Sequence, residues 1–177
     1  MNEIVKKNGI TYGVISGLVS ILITTLIHTI DLKLFISMWV GLVSIVAYIT
    51  IGCVLLIKTK KDLSGIMSFK QGFTTYFISA VIGILISVFF NILLFNYIDP
   101  AAKDTVKEYT IEYTVEMMEK FGTPASAINE AVKGMQDVEQ FSTFELLKGS
   151  IFTIAFSAVF GLILAAIFKS KNNNQGF

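Results

Sequence analysis

Four long apolar runs, 9–30, 34–57, 73–98 and 149–168, set the pattern of the chain, and none of them contains a lysine, aspartate or glutamate. Each exceeds the roughly eighteen residues that a helix needs to cross a hydrocarbon core about 30 Å thick. Four transmembrane helices are predicted. Between the third and fourth runs lies the one extended polar stretch, 99–148, in which apolar residues return at helical spacing. Asp99-Pro100 supplies an N-cap and a proline at the first helical position, and Thr123-Pro124 repeats the device. Two helices of about twenty and fifteen residues follow from it. The first carries the stripe Val106, Tyr109, Tyr113, Met117 and Phe121, and the second carries Ile128, Ala131, Val132, Met135 and Val138. Ser142-Thr143-Phe144-Glu145 reads as a capping box that opens the fourth spanning helix. The expected fold is therefore an all-α integral membrane domain over 1–177. It has four transmembrane helices and, between helices 3 and 4, an extracytoplasmic helical hairpin that caps the bundle or lies flat on the bilayer. A disordered tail is expected at 169–177.

Within the spans, small residues recur at every fourth position: Gly9, Gly13 and Gly17 in the first, Ser79, Gly83 and Ser87 in the third, Ser157, Gly161 and Ala165 in the fourth. Lipid provides little hydrophobic drive between helices, so ridges of this kind serve close backbone approach. The expectation is packing within the bundle, with Gly9, Gly13 and Gly17 the best candidate for a homodimer seam. Tyr12 and Tyr76 fall near one set of span ends, and Trp39 and Tyr97 near the other, as an interfacial aromatic belt requires. Tyr48 lies mid-span and is expected to face a neighbouring helix.

Charge divides the chain. The stretch 99–148 holds ten carboxylates and five lysines, a net charge of −5, whereas the remainder holds nine lysines and three acids, a net charge of +6. Lys6 and Lys7, then Lys58, Lys60, Lys61 and Lys70, then Lys169 and Lys171 flank the ends that an even number of spans places on one side. Lysine in short loops is retained in the cytoplasm. Both termini are expected there, the chain being multi-pass, with the turn Asp31-Leu32-Lys33 and the acidic stretch outside. The first apolar run is longer than a signal-peptide h-region and no small-x-small site follows it, so it is expected to be retained.

The inventory of reactive side chains narrows the chemistry. Every cation is a lysine, which removes the planar, two-pronged grip of arginine on phosphate and on guanine. Nucleic acid is not an expected partner. One histidine and one cysteine, Cys53 inside a span, give no thiolate or histidine-rich metal site. There is no glycine-rich phosphate loop and no nucleophile beside a base. No enzyme, catalytic residue, metal or cofactor is expected. Glu108, Glu112, Glu116 and Glu119 share one face of the first hairpin helix. That face is read either as solvated, with Lys107 and Lys120 within a turn, or as a weak cation or basic-partner surface. His28, three residues before Asp31, is read as an interfacial polar end or, with that carboxylate, as a pH-sensing pair. Asn91 is expected to hydrogen-bond between helices.

With these elements in place, the chain resembles the bacterial membrane family catalogued as domain of unknown function 4199. The resemblance rests on Tyr12-Gly13-Val14-Ile15-Ser16-Gly17, on Ile66-Met67-Ser68-Phe69-Lys70-Gln71-Gly72-Phe73, and on Asp99-Pro100 where span three ends. It implies an integral inner-membrane protein without an assigned activity, so no site residue is carried over. The function expected is a multi-pass accessory or interaction protein that shows its acidic hairpin to a membrane or periplasmic partner. The alternative is a small transporter or ion-conducting subunit using His28, Tyr48 and Asn91, with the glutamates attracting cations.

Overall fold

The structure, a computed structural model, describes residues 2–170. Among them are six α-helices and no strand: α1 (Glu3–Ile30), α2 (Met38–Asp62), α3 (Phe69–Leu93), α4 (Pro100–Lys120), α5 (Ala125–Asp137) and α6 (Thr143–Phe168). Four helical stretches, Glu3–Ile30, Met38–Asp62, Phe69–Ile98 and Thr143–Phe168, are long and apolar enough to cross a membrane. They agree with the four predicted runs, and each begins or ends a few polar residues beyond its apolar core. The polar stretch is two helices, α4 and α5, packed on one another.

α3 is the centre of the bundle, with α1 along one side and α6 along another. The reason lies in the small residues. A Cβ added at Gly9 would stand 2.9 Å from Ile78 Cβ, one at Gly13 would stand 2.8 Å from Ile82 Cβ, and one at Gly17 would stand 2.6 Å from Ile86 Cγ2. Real Cβ atoms do not approach so closely, so the two backbones meet only because these residues lack one. The partners ascend in the same order, so α1 and α3 run parallel. The ridge is thus occupied within the chain, and it is not free to seat a second copy. Across the seam, Ser20 Oγ and Ser87 Oγ are hydrogen-bonded at 2.6 Å, and within α3 Asn91 Nδ2 donates back to Ser87 O at 2.8 Å.

α6 meets α3 through the ring of Tyr76. A Cβ on Gly161 would lie 2.6 Å from that ring, and one on Gly52 of α2 would lie 2.9 Å from it. Tyr76 is therefore wedged between two glycines, and Ser157 Oγ donates to its hydroxyl at 3.4 Å. This corrects its expected place in an aromatic belt. The belt reading suits Trp39 and Tyr97 better, since both are strongly exposed.

At the end of the bundle that holds the termini, Asn8 Nδ2 donates to Thr59 Oγ1 at 3.2 Å and to Asp62 Oδ2 at 3.0 Å, joining α1 to α2. Asp62 also accepts from Lys58 Nζ at 2.7 Å. α2 ends in a Schellman motif, with Gly65 N donating to Lys60 O and Ser64 in the left-handed region at φ 59°. Ser68 and Gln71 then form a full capping box for α3. Of the expected tail, Lys169 and Ser170 are tied down: Ser170 N donates to Met67 O at 2.8 Å and Met67 N donates to Ser170 Oγ at 3.0 Å. The rest of 169–177 lies outside the described residues.

Three local expectations are revised. Asp31-Leu32-Lys33 is not a bare turn. Asp31 Oδ1 accepts from Lys33 N at 2.9 Å and opens a 3₁₀ helix, Leu32–Ile36, which delays α2 to Met38. Pro124 stands at the N-cap of α5 rather than its first turn, and no side chain caps that helix. Ser142 caps α6 through Glu145 N at 3.3 Å, but the Glu145 carboxylate pairs forward with Lys148 instead of returning to the cap.

The seam makes a sharp prediction. Gly13→Ala should destabilise the purified protein by about 1–3 kcal/mol, the usual cost of overpacking, seen as a lower thermal midpoint in detergent. Gly41, with nothing within 4 Å of an added Cβ, is the control; Gly41→Ala should leave the midpoint unchanged or raise it. Equal behaviour of the two variants would show that close approach is not what holds α1 on α3.

Candidate functional site

The chemically densest region is the junction between the bundle and the hairpin. α3 does not end as an α-helix. The five residues that continue it, Leu94–Ile98, form a π turn in which Asp99 N donates to Leu94 O at 2.8 Å. Such turns often mark functional positions. The widened turn carries Leu94 and Phe95 into a buried cluster with Ala102 and Val106 of α4, against which Leu32, Phe35, Phe90 and Phe141 pack. Asn96 Nδ2 donates to Phe141 O at 3.0 Å, fastening the chain just before α6.

Asp99 serves two helices at once. Its Oδ1 accepts from Ala102 N at 3.2 Å as the N-cap of α4, while its Oδ2 accepts from His28 Nε2 at 3.0 Å. His28 therefore pairs with Asp99 and not with Asp31, whose carboxylate is engaged in its own cap. The consequence is mechanical: one carboxylate ties the end of α1 to the start of the hairpin. Lys33 Nζ lies 5.0 Å from the centre of the Tyr109 ring, a second tie between the 3₁₀ helix and α4.

Beyond this anchor α4 emerges from the bundle. Val106 is buried, Tyr109 and Met117 are half-buried, and Tyr113 and Phe121 are exposed, so the predicted apolar stripe is covered only at its root. α5 lies along α4, and Lys107 Nζ donates to Gln136 O at 2.6 Å between them. Glu108, Glu112, Glu116 and Glu119 are all exposed. The one ion pair in the stripe is Glu116 with Lys120 at 3.8 Å, a solvated i,i+4 contact of small energetic weight. Among the described residues, no three His, Cys, Asp or Glu side chains are grouped so as to hold a metal ion.

At the root of the hairpin a cleft of about 300 Å³ opens between α4 and the link to α6, lined by Lys103, Asp104, Lys107, Glu139, Gln140 and Phe141. Sequence reasoning passed over these residues because it followed the glutamates. The available signal was Lys103 and Lys107, one helical turn apart just after Asp99-Pro100.

The remaining candidates separate. Asn91 does not hydrogen-bond between helices as expected, its amide donating one turn back to Ser87 of the same helix, and Tyr48 is exposed on α2 instead of facing a helix. The physical reason is that α2 packs only through its second half, where Gly52, Leu55, Leu56 and Thr59 are buried. His28, Tyr48 and Asn91 are thus not gathered into one path.

A family model described as protein of unknown function (DUF4199) matches residues 11–170. No curated protein and no solved structure matches the chain.

The double role of Asp99 can be tested directly. Asp99→Ala removes a cap worth about 0.5–2 kcal/mol together with the partner of His28. Amide exchange in the first turns of α4 should accelerate accordingly. Asp99→Asn keeps a capping oxygen and should fall between the alanine variant and the native protein. Unchanged exchange in both variants would remove Asp99 as the anchor of the hairpin.

Proposed function

The chain belongs to the DUF4199 family of unknown function, and from that premise we propose that it is a membrane accessory protein that holds an acidic helical hairpin out to a basic protein partner. The single observation that carries this reading is the exposure of Glu108, Glu112, Glu116 and Glu119 along a helix clamped to the bundle only at its root. Four like charges in register repel one another by a few tenths of a kcal/mol per pair, and an opposed lysine-rich or arginine-rich surface relieves that repulsion. Charge complementarity of this kind steers encounter and selects partners. Tyr113 and Phe121, exposed beside the stripe, supply the apolar contact that an interface core uses.

In this reading the hairpin lies outside the cytoplasmic membrane of a bacterium and both termini lie inside. The support is the lysine pattern: Lys6, Lys7, Lys58, Lys60, Lys61, Lys70 and Lys169 cluster at the terminal end of the bundle, opposite the hairpin. The protein acts by binding and carries out no reaction of its own. Transport is the weaker reading, because Ser20, Ser87 and Asn91 are hydrogen-bonded among themselves beside the α1–α3 seam and His28 is held by Asp99, so these polar groups are already engaged within the chain.

Crosslinking in native membranes, followed by purification of the tagged chain and mass spectrometry, tests the proposal. The native protein should bring down a stoichiometric second protein linked through hairpin lysines such as Lys107 or Lys133. Replacing Glu108, Glu112, Glu116 and Glu119 together by glutamine should abolish that capture, and salt should weaken it as the screening length falls from about 8 Å at 0.15 M to about 3 Å at 1 M. Recovery of the chain alone, or equal capture by the glutamine variant, overturns the proposal.

A further inference from the structure

The cleft at the root of the hairpin holds a charge arrangement that the partner reading leaves unused. Two lysines, Lys103 and Lys107, and two acidic residues, Asp104 and Glu139, are among the residues that line one opening of about 300 Å³. Among the described residues, none of the four forms an ion pair with another. Lys107 has one donor engaged, by Gln136 O, and an ammonium has two more. Opposite charges on the walls of one cleft, held apart, match a ligand that carries a negative and a positive centre a few ångströms apart. The cleft's own net charge is zero, so a purely anionic ligand would gain from the lysines and lose to the carboxylates.

Its height narrows the ligand further. Tyr97 and Phe144, at the end of α3 and the start of α6, are 73% and 71% exposed. Aromatic rings at the ends of spanning helices rest among lipid headgroups. Lys103 follows Tyr97 by six residues, and Phe141, which lines the cleft, precedes Phe144 by three. The cleft is therefore at headgroup depth, with the side of α6 running away from it as an apolar surface through Phe152, Phe156 and Val159.

We propose that this cleft binds the headgroup of an aminophospholipid from the leaflet on the hairpin's side. Lys103 and Lys107 take the phosphate, and Asp104 and Glu139 take the primary ammonium. A primary ammonium donates hydrogen bonds to carboxylates, which the quaternary ammonium of a choline headgroup cannot do. The bound lipid fixes the root of the hairpin at the bilayer surface. The inference does not depend on a protein partner.

The test uses the full chain in vesicles of equal parts phosphatidylethanolamine, phosphatidylglycerol and phosphatidylcholine, released into mild detergent, with retained lipid read by native mass spectrometry. Phosphatidylethanolamine should be retained at about tenfold excess over the other two, with one molecule per chain. Loss of one charge-assisted contact corresponds to about a tenfold drop, so Lys103→Ala and Glu139→Gln should each reduce that retention about tenfold. Glu139 is exposed in the link before α6, so its variant keeps the fold; unchanged helicity by circular dichroism checks this. Excess inorganic phosphate should not displace the lipid, and displacement by it would make free phosphate the ligand and overturn the proposal. Equal retention of the three lipids, or retention unaffected by Glu139→Gln, also overturns it.

Discussion

Between Gly9, Gly13 and Gly17 on one helix and Ile78, Ile82 and Ile86 on the other, two parallel backbones come so close that one methyl group at any of the three glycines would overlap its partner. In a bilayer the tails outside are as apolar as the side chains inside, so burial alone gives these helices little reason to associate. Dispersion over a closely fitted surface replaces it, and that surface exists only where side chains are missing. Buried apolar clusters accordingly sit at the two ends of the bundle, around Phe95 and around Leu56 and Met67, with the small-residue seam between them. Ser20, Ser87 and Asn91 add hydrogen bonds along the seam without thickening it.

Once α1 is locked to α3, the positions of both ends follow. At one end Asn8 is carried within reach of Thr59 and Asp62, which fixes the second half of α2. At the other, His28 is carried to Asp99 where α3 gives way to α4. The hairpin is thus anchored through the seam, although it shares no residue with it. The first half of α2 has no comparable contact, which is why Tyr48 and Trp39 are exposed.

The helices were legible in the sequence because apolar length and proline position are local properties. Asp99-Pro100 opens α4 as read, and the parallel ridges of small residues are the ones that meet. What the sequence withheld was pairing. His28 is three residues from Asp31 and 71 from Asp99, and only the folded path of α3 decides between them. Tyr76 has the spacing of a belt residue, yet two glycines on other helices make a slot for its ring. The Ser68-Phe69-Lys70-Gln71 segment, which carries part of the family resemblance, is a capping box with a physical task of its own, starting the central helix. The root cleft was hidden for the same reason, since Glu139 comes to line one cleft with Lys103 only because the chain turns back between α4 and α5.

Charge changes character along α4, and this bears on how the two proposed sites relate. At its root, lysines and carboxylates balance across a cleft; one turn further out the glutamates begin, answered only by Lys120 at the far end. From Lys103 to Glu119 the helix advances about 24 Å at 1.5 Å per residue, farther than the screening length of about 8 Å in physiological salt. The root and the outermost glutamate therefore do not sense one another's charge directly, although Glu108, next to Lys107, lies within reach of the root. The far end is coupled to the root through the rigidity of the helix between them, so a ligand at the root acts on it by fixing the angle at which α4 leaves the bundle. A loosely rooted hairpin would sweep its glutamates through many orientations and pay an ordering entropy at each encounter, whereas a rooted one presents them already aligned. Asp99, which caps α4 and holds His28, performs that rooting from the protein side, and the cleft beside it offers the same function to a lipid.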